Sequence, residues 1–207
     1  LASEYSVPRP AARALAALLT GHDRPVRVGR SNQCDLILLM LSAGPDSHVL
    51  QRLRPFLKRF GGRSGIAIQA LLELLASAPL PRMRVAFAGE THHVGWTIVG
   101  KSQCYGGRDR ATPGADPFRA DFELVAQRSF GRRAALAFVA GIPSGRHLRR
   151  PDVIRKVVDR VRLEPDPASQ PVAYQVDGDL VGTLPVEVSI DPRPLVMRLP
   201  LSPSRDR

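Results

Sequence analysis

The sequence predicts a mainly β domain with inserted helices, an α+β chain built as a sandwich or barrel. From Pro81 onward, segment after segment alternates apolar and polar residues with a period of two, the pattern of half-buried strands. Helical patterning is confined to about 11–19, 47–60, 65–77 and 131–140, mostly early in the chain. Turn signals such as Gly89-Glu90 and Asp177-Gly178 separate the alternating segments.

Taken in order, Pro8 and Pro10 introduce a helix over Ala11 to Leu19, which Gly21 ends, with Leu15, Leu18 and Leu19 as its narrow apolar face. Arg24 to Arg30 alternates as one strand. Cys34 to Leu41 is a continuous apolar run of strand length, expected as one buried strand. Ser42 to Asp46 breaks it. A basic amphipathic helix is expected over 47–60 and an almost wholly apolar one over 65–77, with Gly61-Gly62 between them. Arg82 to Ala88 and Thr91 to Gly100 read as paired strands around Gly89-Glu90. His92 and His93 are adjacent in the second, so they face opposite ways and cannot share a metal. Lys101 to Pro117 is a loop long enough to be functional, Phe118 to Gln127 a strand, and 131–140 a short helix. Pro151 to Leu163 is basic and β-branched and holds at least one strand, and the closing strand is Leu195 to Leu199.

A formal net charge of +11 points to an anionic partner, nucleic acid or an acidic membrane surface. Only 5% of residues are aromatic, and none interleaves with the basic clusters as a base-stacking platform needs, so nucleic acid is the weaker reading. Cys34 and Cys104 have no metal or disulfide-framework spacing. No apolar run is long enough to span a membrane, and no leader pattern opens the sequence. The expectation is a cytoplasmic chain, peripheral at the membrane.

One stretch organises the rest: Tyr174 to Pro185, reading YQVDGDLVGTLP. Tyr174 and Val176 alternate with Gln175 and Asp177, Gly178 supplies a tight turn, and Leu180 and Val181 resume an apolar run. A hairpin of this kind sets Asp177 and Asp179 at its tip. By itself such a turn is a common surface feature.

Its company makes it specific. Gln-Val-Asp-Gly-Asp, then Pro185, then a strand ending Leu199-Pro200, resembles the C-terminal end of the diacylglycerol kinase-like lipid kinases, the diacylglycerol and sphingosine kinase relatives. Leu1, Ala2, Val7 and Pro8 look like the tail of that family's Asn-x-Phe-Ala-Arg-x-Leu-Gly-x-Pro segment. Gly44, Asp46, Lys58, Arg59 and Gly62 resemble its Gly-Phe-Asp … Lys-Arg-x-x-Gly block. Tyr105-Gly106-Gly107, Pro113 and Ala115 resemble the Gly-Gly … Pro-x-Ala loop. Gly141 to His147 with Pro151-Asp152-Val153 resembles the Gly-x-His … x-x-Val segment. The motifs keep the family's order over essentially the whole chain.

The resemblance implies a β-sandwich-like C-terminal domain at 24–201. Residues 1–23 are then a remnant of the connection to an N-terminal nucleotide-binding domain, and 202–207 a polar tail. It implies ATP and Mg²⁺ as cofactors of the complete enzyme. This chain has no Gly-Gly-Asp-Gly-Thr phosphate loop, so none is expected to bind it alone and it is expected to be inactive by itself. The implied partners are a lipid substrate, an anionic membrane surface facing 52–63 and 146–162, and the chain's own nucleotide-binding domain, with a homodimer left open. The implied catalytic residue is Asp179, where the family commonly has Glu, as the carboxylate that takes the proton from a lipid hydroxyl. Asp177 and Gly178 support the turn, and Asp177→Asn should then have little effect. Gly44, Asp46, Lys58, Arg59, Gly106 and Gly107 are implied to face lipid or phosphate. In many bacterial members an Asp-Gly after Pro-x-Ala helps build a structural magnesium site. Arg119 and Ala120 stand there, so no metal is expected unless Asp116, Asp121 and Glu123 rebuild one. The alternative to a kinase domain is a non-catalytic basic β module that binds anionic lipid or nucleic acid.

Overall fold

A computed structural model of the protein describes residues 2, 4–8, 10–47, 80–105 and 109–201. The expected helix at 65–77, that at 47–60 beyond Ser47, and Lys58, Arg59, Gly62, Gly106 and Gly107 lie outside the described residues. Helix α1 (Ala11–Leu19) is followed by β1 (His22–Val26), β2 (Gly29–Ser31), β3 (Leu36–Ile37) and β4 (Met40–Ala43). Then come β5 (Met83–Phe87), β6 (Glu90–Val94), β7 (Trp96–Gly100) and a small ribbon of β8 (Cys104–Tyr105) with β9 (Asp109–Arg110). β10 (Phe122–Gln127), helix α2 (Arg132–Gly141) and a 3₁₀ turn (Arg146–Arg149) lead to β11 (Val153–Val158) and β12 (Arg160–Pro165). The chain closes with β13 (Ala173–Val176), β14 (Asp179–Thr183), β15 (Val186–Ile190) and β16 (Leu195–Leu199).

Two six-stranded sheets form the sandwich, one in the order β3-β2-β15-β12-β5-β6, the other β11-β10-β7-β4-β13-β14. The shared core between them includes Ile37, Leu41, Val85, Phe122, Leu124, Val161, Leu163, Tyr174 and Val188, as the alternation requires. The outer face of the second sheet is covered by α2, where Phe138 and Ala135 pack on Trp96, Ile98 and Val125. A separate ribbon pairs β1 with β16 over Val26, Val28 and Tyr5.

Three segments read as single strands, and a fourth read as holding at least one, are each divided, for one reason: the chain passes from one sheet to another while its alternation continues. Arg24 to Arg30 splits between the β1–β16 ribbon and β2. The apolar run Cys34 to Leu41 splits into β3 and β4, in different sheets, at Leu38-Leu39. Thr91 to Gly100 splits at Gly95, where a Cβ would stand 2.9 Å from the Ser129 carbonyl oxygen. Pro151 to Leu163 becomes β11 and β12, again in different sheets. Phe118 to Gln127 starts late as a strand, at Phe122, because the residues before it wrap around a buried side chain, that of Lys101. Helix α1 forms where expected but buries none of its residues, and Leu15 and Leu19 are 60% and 70% exposed. The two histidines part as alternation demands, His92 to Glu90 and His93 to Asp166.

Candidate functional site: the Asp177–Asp179 hairpin tip

Strand β13 runs through the core with all four residues buried, and β14 returns along the sheet edge. Asp177 and Gly178 form the two-residue turn between them, with φ of 54° and 101°, the positive values that a type I′ turn needs. Asp and Gly are suited to that conformation, which is why the dipeptide sits there.

The two carboxylates at this tip do different things. Asp177 turns back into the fold. Its Oδ1 accepts the backbone N–H groups of Leu39 (2.8 Å) and Met40 (2.9 Å), and its Oδ2 that of Leu38 (3.0 Å). The Asp177 N–H donates in turn to the Met40 carbonyl at 2.9 Å. These are the amides of the chain crossing from β3 to β4, which no ladder satisfies there, so one side chain caps a sheet-to-sheet passage. Asp177 therefore both forms the turn and caps the crossing, and an Asn there would turn an amide nitrogen towards the Leu38 donor.

Asp179, by contrast, is exposed, and its carboxylate makes no hydrogen bond or ion pair with the described residues. It pairs in register with Val176, which puts it on the face away from Gln175. Behind the tip, Gln175 accepts the Gly178 N–H on Oε1 at 2.7 Å and reaches Asp46 Oδ2 with Nε2 at 3.4 Å. Asp46 thus joins the base of the hairpin, on the opposite face from Asp179. Gly44 is buried, its φ is +143° and a Cβ would meet Trp96 at 2.9 Å. On the inner side, the Tyr174 hydroxyl lies 2.8 Å from Gln33 Oε1 and 3.0 Å from Asp35 Oδ2. Burial, and then Asp35, push the Tyr174 phenol above its ordinary value, so it stays protonated and holds the 31–35 turn against β13. The hairpin is anchored on both faces, and Asp179 is the carboxylate it presents.

Next to Asp179 on the edge strand, Leu180 and Val181 are 38% and 42% exposed. The run at 146–162 is divided, with β11 at the other edge of the same sheet, five strand spacings or about 24 Å away, and β12 in the opposite sheet. Much of it is engaged in ion pairs, Arg150 with Asp152, Arg155 with Glu123, Arg160 with Glu187 and Arg162 with Glu164. An open cleft of about 870 Å³ lined by Phe87, Val157, Val158 and Arg160 lies away from the hairpin.

The carboxylates that could have rebuilt a magnesium site are each committed elsewhere. Asp121 pairs with Arg119 at 2.5 Å, and Asp116 accepts the Phe118 N–H at 2.8 Å. Glu123 accepts Arg155 and the Gly114 N–H. No cluster of three acidic, His or Cys side chains converges among the described residues. What the loop encloses instead is the Lys101 ammonium, fully buried, donating to the carbonyls of Asp116 (2.5 Å), Arg119 (2.6 Å) and Asp121 (3.2 Å). Burial pushes Lys101 down to about 8, with Asp121 and Asp116 opposing that shift, so it remains charged at neutral pH. A divalent cation does not fit where this ammonium stands. Sequence reasoning missed Lys101 and Gln175, although Lys101 directly follows a wholly buried strand.

Residues 40–198 match the family model of the YegS C-terminal NAD kinase beta sandwich-like domain. Among solved structures, the chain is similar to a Bacillus anthracis protein provisionally described as a diacylglycerol kinase, at 16% identity and TM-score 0.71, covering 92% of this chain and 61% of that one. A second structure so described, from the same organism, has 14% identity and TM-score 0.68, covering 92% and 62%. A third, a B. anthracis diacylglycerol kinase, has 11% identity and TM-score 0.62, covering 96% and 62%. At these identities the likeness is one of fold. No curated protein sequence matches. The chain spans less than two thirds of the length of these solved relatives. With most of its length matched by one family model, the chain belongs to the YegS C-terminal NAD kinase beta sandwich-like domains.

Proposed function

We propose that this chain is the acceptor-side domain of an ATP-dependent lipid kinase that phosphorylates diacylglycerol or a related lipid alcohol. The observation that carries the reading is the division of labour at the hairpin tip. Asp177 is spent on backbone amides, while Asp179 is exposed on a doubly anchored turn, which supports the catalytic role that the family resemblance implies for a carboxylate there. In the reaction, the lipid hydroxyl oxygen forms a bond to the γ-phosphorus of ATP as the bond to the ADP oxygen breaks. Asp179 accepts the hydroxyl proton. ATP and Mg²⁺ are held by a nucleotide-binding domain, which supplies the phosphate cradle that this sequence lacks.

Two surfaces suit the remaining partners. The acceptor lipid approaches along β14, where Leu180 and Val181 lie exposed beside Asp179. The nucleotide-binding domain packs on α1 and the β1–β16 ribbon, where Leu15, Leu19 and Val196 are 60%, 70% and 64% exposed. No helix among the described residues is long and apolar enough to cross a membrane. The +11 charge instead supports peripheral attachment to an anionic surface. The chain should therefore sediment with anionic vesicles and not with zwitterionic ones, and salt should release it, since such attraction is screened within about 8 Å at physiological ionic strength. Equal sedimentation with both vesicle types would argue against this attachment. The activity itself is tested by joining the chain to a nucleotide-binding domain of the family and supplying diacylglycerol in vesicles. Phosphorylated lipid is expected from the joined protein and none from the chain alone.

A further inference from the structure

We infer that the 116–121 loop is a cation-centred loop whose cation is the protein's own, the ammonium of Lys101, so that this domain has dispensed with a metal ion there. Three backbone carbonyls converge on one point, at 2.5, 2.6 and 3.2 Å from Nζ. That arrangement of hard oxygens is one a small cation would otherwise centre. The ammonium has three N–H donors and the loop offers three acceptors, so every donor is satisfied. A neutral amine would have two donors and turn its lone pair towards a carbonyl, so the geometry calls for the charged form.

Composition supports the choice of residue. Only Lys58, Lys101 and Lys156 are lysines among the 30 basic residues, so arginine is this chain's ordinary cation. The position where these carbonyls close around a point has lysine, whose compact ammonium fits and whose charge a planar guanidinium fork could not replace. The local acids do not compete for a metal, because Asp116 is held by the Phe118 amide and Asp121 by Arg119. The same lysine is tied to the hairpin tip through its backbone. The Lys101 and Ser102 N–H groups both donate to the Leu39 carbonyl, at 2.8 and 2.9 Å, while Asp177 holds the Leu39 N–H. The loop, the sheet crossing and the tip therefore form one connected unit.

Thermal melting of the whole chain tests this. In the wild-type protein, EDTA and millimolar MgCl₂ at matched ionic strength should give the same Tm, and a clear fall in EDTA would overturn the inference. Lys101→Met keeps the bulk and leaves three buried carbonyls without a donor, so its Tm should fall by about 10 °C. Lys101→Arg keeps the charge and should also melt lower, because the fork does not suit the site. A wild-type Tm for Lys101→Met would overturn the inference. In Lys101→Ala, n-propylammonium should restore part of the lost Tm and n-propanol should not. Equal effects of the two would mean that the space is filled and no cation is required. If none of the variants folds, the wild-type comparison in EDTA and magnesium still decides whether the loop needs a metal.

Discussion

Replacing Asp179 by Asn, in the protein joined to a nucleotide-binding domain, is expected to lower lipid phosphorylation by about 100- to 10,000-fold, the usual cost of removing a positioned base. The Tm should hardly move, because Asp179 is exposed and its carboxylate makes no bond to the described residues. Asn keeps the shape and the turn and removes the charge alone. Asp179→Glu should retain activity, since the longer side chain delivers the same group. Steady-state rates at saturating ATP and lipid, with melting curves on the same preparations, check both halves. Near wild-type turnover in Asp179→Asn would show that the hairpin is only a turn and that the base lies elsewhere.

Asp177 should behave in the opposite way. Asp177→Ala leaves the Leu38, Leu39 and Met40 amides without their acceptor and puts a non-glycine residue without a polar side chain at φ 54°. A loss of about 2–4 kcal/mol is expected from broken charge-assisted hydrogen bonds of this kind. For a chain of this size that is about 5–15 °C in Tm. Asp177→Asn isolates the hydrogen-bonding part, because Asn also tolerates positive φ. It keeps one acceptor oxygen and turns an NH₂ group towards an amide donor, so a loss of about 1–2 kcal/mol is expected. Thermal and urea unfolding of the chain alone measure this. Wild-type stability in Asp177→Ala would mean that the crossing from β3 to β4 is held by the surrounding sheets rather than by this carboxylate.

Which features the sequence disclosed follows from how local they are. Helix α1 is readable because Pro10 and Gly21 bracket it, and the Asp177–Gly178 turn because the dipeptide specifies its own backbone. Strand alternation marks the core correctly, since Tyr174, Val176 and the other inward residues need only their own neighbours to be recognised. Strand ends were not readable where the chain changes sheets. A period of two runs through Leu38-Leu39 and Gly95 without interruption, and only the partner strands reveal the break. Long-range polar contacts were equally hidden. Asp177 meets Leu38 to Met40 across 137 to 139 positions, and Lys101 meets carbonyls, which leave no trace in side-chain identity. The absence of the Asp-Gly pair at 119 and 120 was visible in the sequence, but the lysine that takes up the central charge was not. Asp179 stood out through its resemblance to a family pattern, and the fold adds that it lies at an exposed tip while Asp46 sits on the other face.

The most direct test of the central claim is a competition between acceptors. The joined protein is given ATP labelled at the γ-phosphate, diacylglycerol in anionic vesicles, and NAD at the same concentration. The account predicts label in the organic phase as phosphorylated lipid, lost on Asp179→Asn. Label in the aqueous phase as phosphorylated NAD, with the lipid unmarked, would contradict it.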